Sequence, residues 1–207
     1  MSAARVMRFG EIEIAYDENV LEPRPWTVMQ ADWARELEPS LPDGAFLELG
    51  CGAGHIGLAS IYGTERHLVQ LDAEGAACEL ASLNASAAGM GERVSVRCGA
   101  FGDTLLAGEA FALVLADPPY VPTSETSRYP EDPPQAIDGG ADGLDGIRSA
   151  LAVAGAHLLP GGAVLLQVWG AAQAEQSREI ALRAGLVLCE VRAADRHRAV
   201  VLLRPIV

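Results

Sequence analysis

From Ala45 onward, short runs of leucine and β-branched residues alternate with alanine-rich segments of helical length. Continuous apolar runs of strand length read as strands buried on both faces, and their alternation with helices marks a mostly parallel sheet covered on both sides. The pattern predicts strands over Ala45–Leu49, His67–Leu71, Val94–Cys98, Ala110–Ala116, Ala163–Val168, Leu186–Val191 and Ala199–Leu203. Helices are expected over His55–Tyr62, Glu74–Gly89, Leu144–Leu158 and Ala172–Ala184, the third stopped by Pro160-Gly161-Gly162. Only Arg192–Arg198 joins the last two strands, too short for a helical crossover, so they should form an antiparallel hairpin at the end of a seven-stranded sheet. Ahead of this unit, Val6–Tyr16 alternates like a hairpin or edge strand and Thr27–Glu38 could form a helix. Residues 1–44 are thus expected as a cap or lid on a body formed by residues 45–207, the whole being one structural domain. The proline-rich, acidic stretch Pro118–Gly146 reads as a loop within that body.

With 207 residues, half of them hydrophobic, the chain can bury a real core. Its 15 Lys and Arg against 28 Asp and Glu give a formal net charge of -13, which disfavours a polyphosphate partner such as nucleic acid. The longest candidate membrane span, Ala150–Trp169, is broken by His157 and the Pro-Gly-Gly triplet, and the first twenty residues carry charges with no apolar signal region. Cys51, Cys78, Cys98 and Cys189 lack zinc-like or disulfide-framework spacing. A soluble, cytoplasmic protein without a metal site is the expectation.

Chemistry concentrates in two places. The first predicted strand runs into Glu48-Leu49-Gly50-Cys51-Gly52-Ala53-Gly54-His55-Ile56-Gly57, where closely spaced glycines let backbone approach a ligand without Cβ clashes. The second strand ends at Asp72, whose carboxylate is placed to accept hydrogen bonds from ribose hydroxyls, so a nucleoside-bearing cofactor fits. Gly52, Gly54 and Gly57 also satisfy G-x-G-x-x-G, and spacing alone leaves NAD open. The second place is Asp117-Pro118-Pro119-Tyr120, at the carboxyl end of a strand, where open α/β sheets bind ligands. Prolines remove backbone donors and leave their carbonyls as acceptors. Together with the Asp117 carboxylate and the Tyr120 ring they suit a planar NH2 group whose lone pair must be aimed at an electrophile.

These segments resemble the motifs of class I S-adenosylmethionine-dependent methyltransferases. Pro23-Arg24-Pro25-Trp26-Thr27, Pro133 to Asp145 (PPQAIDGGADGLD) and Leu158-Leu159-Pro160-Gly161-Gly162 are similar to the HemK-type protein glutamine N5-methyltransferases, which modify the Gly-Gly-Gln loop of peptide-chain release factors. The resemblance implies a Rossmann-like fold with S-adenosylmethionine as cofactor and no metal. It places Gly50, Gly52 and Gly54, with Cys51, under the methionine part, Asp72 at the ribose and Phe101 near adenine, with Ala73 and Ala100 among the cofactor contacts. Thr27, Glu48 and Asp117 would be further cofactor contacts. Asp117, Pro118 and Tyr120 would be catalytic, and with Pro119 and Trp26 would bind the acceptor.

The chain departs from the family's pattern at four points. Asp117 stands where the family usually has Asn, Ala100 where an acidic residue is usual unless Asp103 serves after a shift, Trp26 where bacterial members usually have Glu, and only some twenty residues precede the match. The last point is like the short archaeal and eukaryotic relatives, which work with a small partner protein. Asp117 is also what many nucleobase amino-methyltransferases use. A protein acceptor of the release-factor type is therefore the first expectation, a nucleobase or small amine or amide the second, and a catalytically silent cofactor-binding subunit the third. His55 and His157 read as structural, Cys51 as a small residue beneath the cofactor, and Trp26 as core or lid. Arg24 reads as solvated or substrate-facing, and the acidic residues of Glu125–Asp145 as a solvated face.

Overall fold

The computed structural model describes residues 5–206. Met1–Ala4 of the expected cap and Val207 lie outside them. The chain begins with an antiparallel hairpin, β1 (Arg5–Phe9) and β2 (Ile12–Tyr16), turning at Gly10 with φ 58°. A 3-10 turn at Pro25–Thr27 leads into α1 (Val28–Leu37), followed by β3 (Phe46–Leu49), α2 (His55–Ile61), β4 (Leu68–Asp72), α3 (Gly75–Ala87) and β5 (Val94–Cys98). The short α4 (Phe101–Thr104), β6 (Phe111–Ala116) and the short α5 (Pro134–Ile137) come next. Then follow α6 (Asp145–His157), β7 (Leu158–Val168), α7 (Gly170–Arg183), β8 (Leu186–Asp195) and β9 (Arg198–Pro205).

Seven strands form one sheet in the order β5-β4-β3-β6-β7-β9-β8, in which β9 alone runs against the rest. The expected seven-stranded, mostly parallel α/β sheet with its antiparallel hairpin is present. Side chains alternate across it. Phe46, Leu113 and Leu115 face one core with α1, α2, α3 and the β1–β2 hairpin, and Leu47, Val114 and Leu166 face a second with α6 and α7. Residues 5–44 share the first core directly, with Phe9, Ile14 and Trp33 fully buried. Asn84 of α3 ties the hairpin down, exchanging two 2.8 Å hydrogen bonds with the Ala15 backbone and donating a third to the Ala53 carbonyl. No helix among the described residues is long and apolar enough to cross a membrane.

Two expectations need correction. The third helix stops at His157, not at the Pro-Gly-Gly triplet, because Leu158 already pairs with Phe111 as a strand. Register shifts between Phe111 and Leu113 of β6, so that Leu159–Gly162 bulge out before pairing resumes at Ala163. Pro118–Gly146 is also more than a loop, since a 3-10 turn at Thr123–Arg128 and α5 interrupt it. Val121 bridges to Asp138, which folds the segment back over the sheet's carboxyl end.

Candidate active site

Strand order reverses between β3 and β6, which leaves a crevice beyond their carboxyl ends, the position at which open α/β folds take ligands. The glycine turn after β3 forms one side. Gly50, Gly52 and Gly54 have φ of 71°, 53° and 81°, values that L side chains rarely adopt. A Cβ on Gly50 would stand 3.9 Å from both the Asp117 carbonyl and the Phe101 ring, in the passage between them. The turn is held from β4: Asp72 Oδ2 accepts from the Gly52 amide at 2.8 Å and Oδ1 from the Glu74 amide at 3.0 Å.

A cavity of about 280 Å³ lies over this turn, walled by Gly50, Cys51, Gly52, Asp72, Ala73 and Phe101, with an apolar flank of Val20, Leu21, Ile56 and Ala77. Asp117 and Pro119 close one end, and Pro133, Gln135 and Ala136 form a roof. Beside it lies a second cavity of about 350 Å³, lined by Trp26, Asp117, Pro118, Tyr120, Trp169, His197 and Arg198 among others. Leu21, Asp117 and Ala136 belong to both, and Asp117 marks their junction. No donor among the described residues reaches its carboxylate, and loss of water contact pushes the carboxyl up to about 7. The Pro118–Pro119 peptide is trans, and the Pro118 carbonyl accepts no bond among the described residues. Burial pushes the Tyr120 phenol up, Asp117 adding to the shift while Gln167 and Arg198 oppose it.

The expected site residues divide accordingly. Gly50, Cys51, Gly52, Asp72, Ala73, Phe101 and Asp117 meet at the first cavity; Trp26, Asp117, Pro118 and Tyr120 meet at the second, and Pro119 faces the first. Thr27, expected at the cofactor, lines the second cavity instead, its hydroxyl donating to the Arg24 carbonyl at 2.8 Å. Glu48, Gly54 and Ala100 line neither. Glu48 is buried behind the turn, where Gln70 donates to it at 2.6 Å and Gly57 also bonds it, and burial pushes its carboxyl up to about 8. Gly54 begins α2 against the Gln70 side chain, and Ala100 is the residue that precedes α4.

His55 was expected to be purely structural. It packs edge-on against Phe9, with ring centroids 4.8 Å apart, yet also lines the first cavity; burial pulls its pKa down to about 3, so the imidazole is neutral. Arg24 pairs with Asp132, which pins the N-terminal segment to the folded-over acidic stretch. Leu21, Trp169, His197 and Arg198 were missed. Trp169 follows directly on a strand's carboxyl end, a positional signal that was available. The others carry no linear motif and arrive from segments far apart in sequence.

The first cavity fits a nucleoside with a charged aliphatic tail. A carboxylate with spare lone pairs faces hydroxyl positions, an aromatic ring and apolar walls suit a base, and side-chain-free backbone leaves room for the tail. Comparison with known proteins agrees. A family described as "Methyltransferase small domain" matches residues 34–129. The chain is 34% identical over 164 residues to the release factor glutamine methyltransferase of Gloeobacter violaceus, covering 76% of this chain and 57% of that protein. It is 32% identical over 197 residues to that of Xylella fastidiosa (strain Temecula1), covering 91% and 70%. The chain thus spans rather more than half the length of the first relative and rather more than two thirds of the second.

Two solved structures share the fold at low identity. A ribosomal protein L11 methylase from Lactobacillus delbrueckii subsp. bulgaricus superposes with TM-score 0.69 at 12% identity, covering 97% of this chain and 98% of that one. A methyltransferase from Pyrococcus furiosus gives 0.68 at 18%, covering 94% and 89%. S-adenosylmethionine is the cofactor of this family. With a relative matched at this identity over most of its length, the chain belongs to the release factor glutamine methyltransferase family of class I methyltransferases.

Proposed function

We propose that the chain is an S-adenosylmethionine-dependent N-methyltransferase whose acceptor is the side-chain carboxamide of a protein glutamine, of the release-factor kind. The observation that carries this reading is Asp117, a carboxylate with no partner among the described residues, at the junction of the first cavity and the second. Bound at the glycine turn, S-adenosylmethionine supplies an electrophilic methyl group. An amide nitrogen is a poor nucleophile because its lone pair is delocalised, so the chain's task is positioning. The Asp117 carboxylate and the Pro118 carbonyl accept the two N–H bonds, the Tyr120 ring packs over the amide plane, and the lone pair is left facing the first cavity. Asp117 Oδ or solvent takes the proton that nitrogen loses. Phe101 and the roof of Pro133 and Ala136 limit water entry.

A nucleobase amino group is the second reading, favoured by Asp117 where the family usually has Asn. Glu131 and Asp132 at the second cavity and a net charge of -13 work against it. Calorimetric titration with S-adenosylmethionine and with NAD tests the cofactor. Transfer of labelled methyl to a release factor, with mass spectrometry locating the methyl on the glutamine of Gly-Gly-Gln, tests the acceptor. Labelling of oligonucleotides and not of release factor would replace the first reading by the second.

A further inference from the structure

We propose that Arg198 is the acceptor-binding residue that donates to the carbonyl oxygen of the carboxamide, with the Trp26 ring as the platform that holds it. The proposal rests on the carboxamide reading above. A primary amide presents two N–H donors and one carbonyl acceptor. Asp117 and the Pro118 carbonyl answer the donors, but an ionised carboxylate has no proton to offer the carbonyl. An Asn at that position would carry both functions, so this chain needs a donor from elsewhere. Leaving the carbonyl unpaired in a cavity would weaken binding.

The donors on the cavity wall can be sorted by what they already hold. Arg24 is paired with Asp132. The Trp26 ring N–H is buried with no partner among the described residues and is not open to the cavity. The Tyr120 hydroxyl lies against Gln167, and the His197 ring rests near Trp169, with centroids 5.8 Å apart. Arg198 differs. Its guanidinium lies over the Trp26 ring at 3.6 Å and makes no hydrogen bond among the described residues. Its ion pair there, to Asp195, is 3.5 Å long, with both side chains about 40% exposed. Stacking fixes the plane of the fork and leaves its N–H edge for a ligand oxygen. Its charge is felt at the Tyr120 phenol, so it stands on the same side of the cavity as the Asp117–Tyr120 segment.

The fold holds this placement deliberately. Position 170, the first of α7, has φ 72°, and a Cβ there would lie 2.3 Å from the Arg196 carbonyl. The turn between β8 and β9 can therefore close onto α7 only over a glycine, and its closure carries Arg198 to Trp26.

The test uses the full chain, steady-state methylation of a release-factor Gly-Gly-Gln peptide, and S-adenosylmethionine titration as the check on folding. Arg198→Gln should raise the acceptor KM about tenfold or more, as expected for loss of a charge-assisted hydrogen bond, with kcat and cofactor affinity little changed. Arg198→Lys should recover only part, and Gly170→Ala should raise KM without altering Arg198 itself. Carboxamide methylation by the wild type with an unchanged KM in Arg198→Gln overturns this inference alone. A wild type that binds S-adenosylmethionine but methylates no carboxamide overturns the parent reading as well. If Arg198→Gln also loses cofactor binding, a wild-type KM in Arg198→Lys and Gly170→Ala overturns the proposal.

Discussion

Asp72 accepts a 2.8 Å hydrogen bond from the Gly52 amide, so the carboxylate that closes β4 also shapes the glycine turn that closes β3. One side chain thus serves the cofactor cavity twice, as its wall and as the brace of its floor. Asp72→Ala removes both roles. Affinity for S-adenosylmethionine should fall by about 10- to 100-fold, the scale of one charge-assisted hydrogen bond lost. Calorimetry checks this, and unchanged affinity would show that the turn holds its shape unaided.

On the proposed mechanism Asp117 should set the pH response of catalysis. Its carboxyl is raised to about 7, and the ionised form is the better acceptor for an NH2 group. The acceptor kcat/KM should rise with pH through about 7, and Asp117→Asn should flatten that rise while retaining carboxamide methylation. Asp117→Ala should cost about 100-fold, since an unpositioned nitrogen loses its alignment. A pH profile identical in Asp117→Asn and wild type would assign the limb to another group.

Glu48 predicts a stability response of known sign. Burial raises its folded pKa from 4.5 to about 8, so between those values the folded chain holds a proton that the unfolded chain has released. Stability contributed by the neutral acid is full below about 4.5 and is lost as pH climbs to about 8. Glu48→Gln cannot ionise and keeps a similar shape. It should be more stable than wild type at pH 8 by a few kcal/mol, on the order implied by the shift, with the gap closing at pH 5. Thermal unfolding at the two pH values measures the gap, and a constant difference would refute the assignment.

The Arg24–Asp132 ion pair fastens a roof. Side-chain exposure is only 24% and 8%, and the segment beginning at Glu131 covers both cavities. Asp132→Asn should therefore weaken cofactor and acceptor binding together, each by about tenfold or less, the usual range for a partly exposed pair. Loss confined to one ligand would mean that the roof is held elsewhere.

What was legible in the sequence follows from how each signal is encoded. β6 is an uninterrupted apolar run, and β3 and β4 are apolar but for the buried Glu48 and Gln70 and the terminal Asp72, because these strands are covered on both faces; their expected ends lie within a residue of those observed. The start of β7 was hidden. Pro160-Gly161-Gly162 reads locally as a helix stop, while pairing with β6 decides that the chain is already extended at Leu158. α7 begins two residues before its expected start because Gly170, needed for the close approach of Arg196, looks like a break. At the site, the glycine turn, Asp72 and Asp117 lie at strand ends and carry motifs. Trp169, His197 and Arg198 meet them only because β9 is inserted beside β7, a matter of strand order to which local periodicity is blind.

The same hairpin bears on solubility. With β9 inside the sheet, β8 is left as an outer edge whose unpaired backbone could template association with another chain. That edge is guarded. Register shifts interrupt the β8–β9 ladder between Leu188 and Glu190 and again between Ala193 and Asp195, and Arg192 reaches Glu36 of α1 at 2.6 Å and Glu190 at 2.9 Å. An incoming strand would have to follow two irregularities and strip an arginine from its carboxylates. The turn end of this hairpin can thus line the second cavity without its length becoming a seed for aggregation.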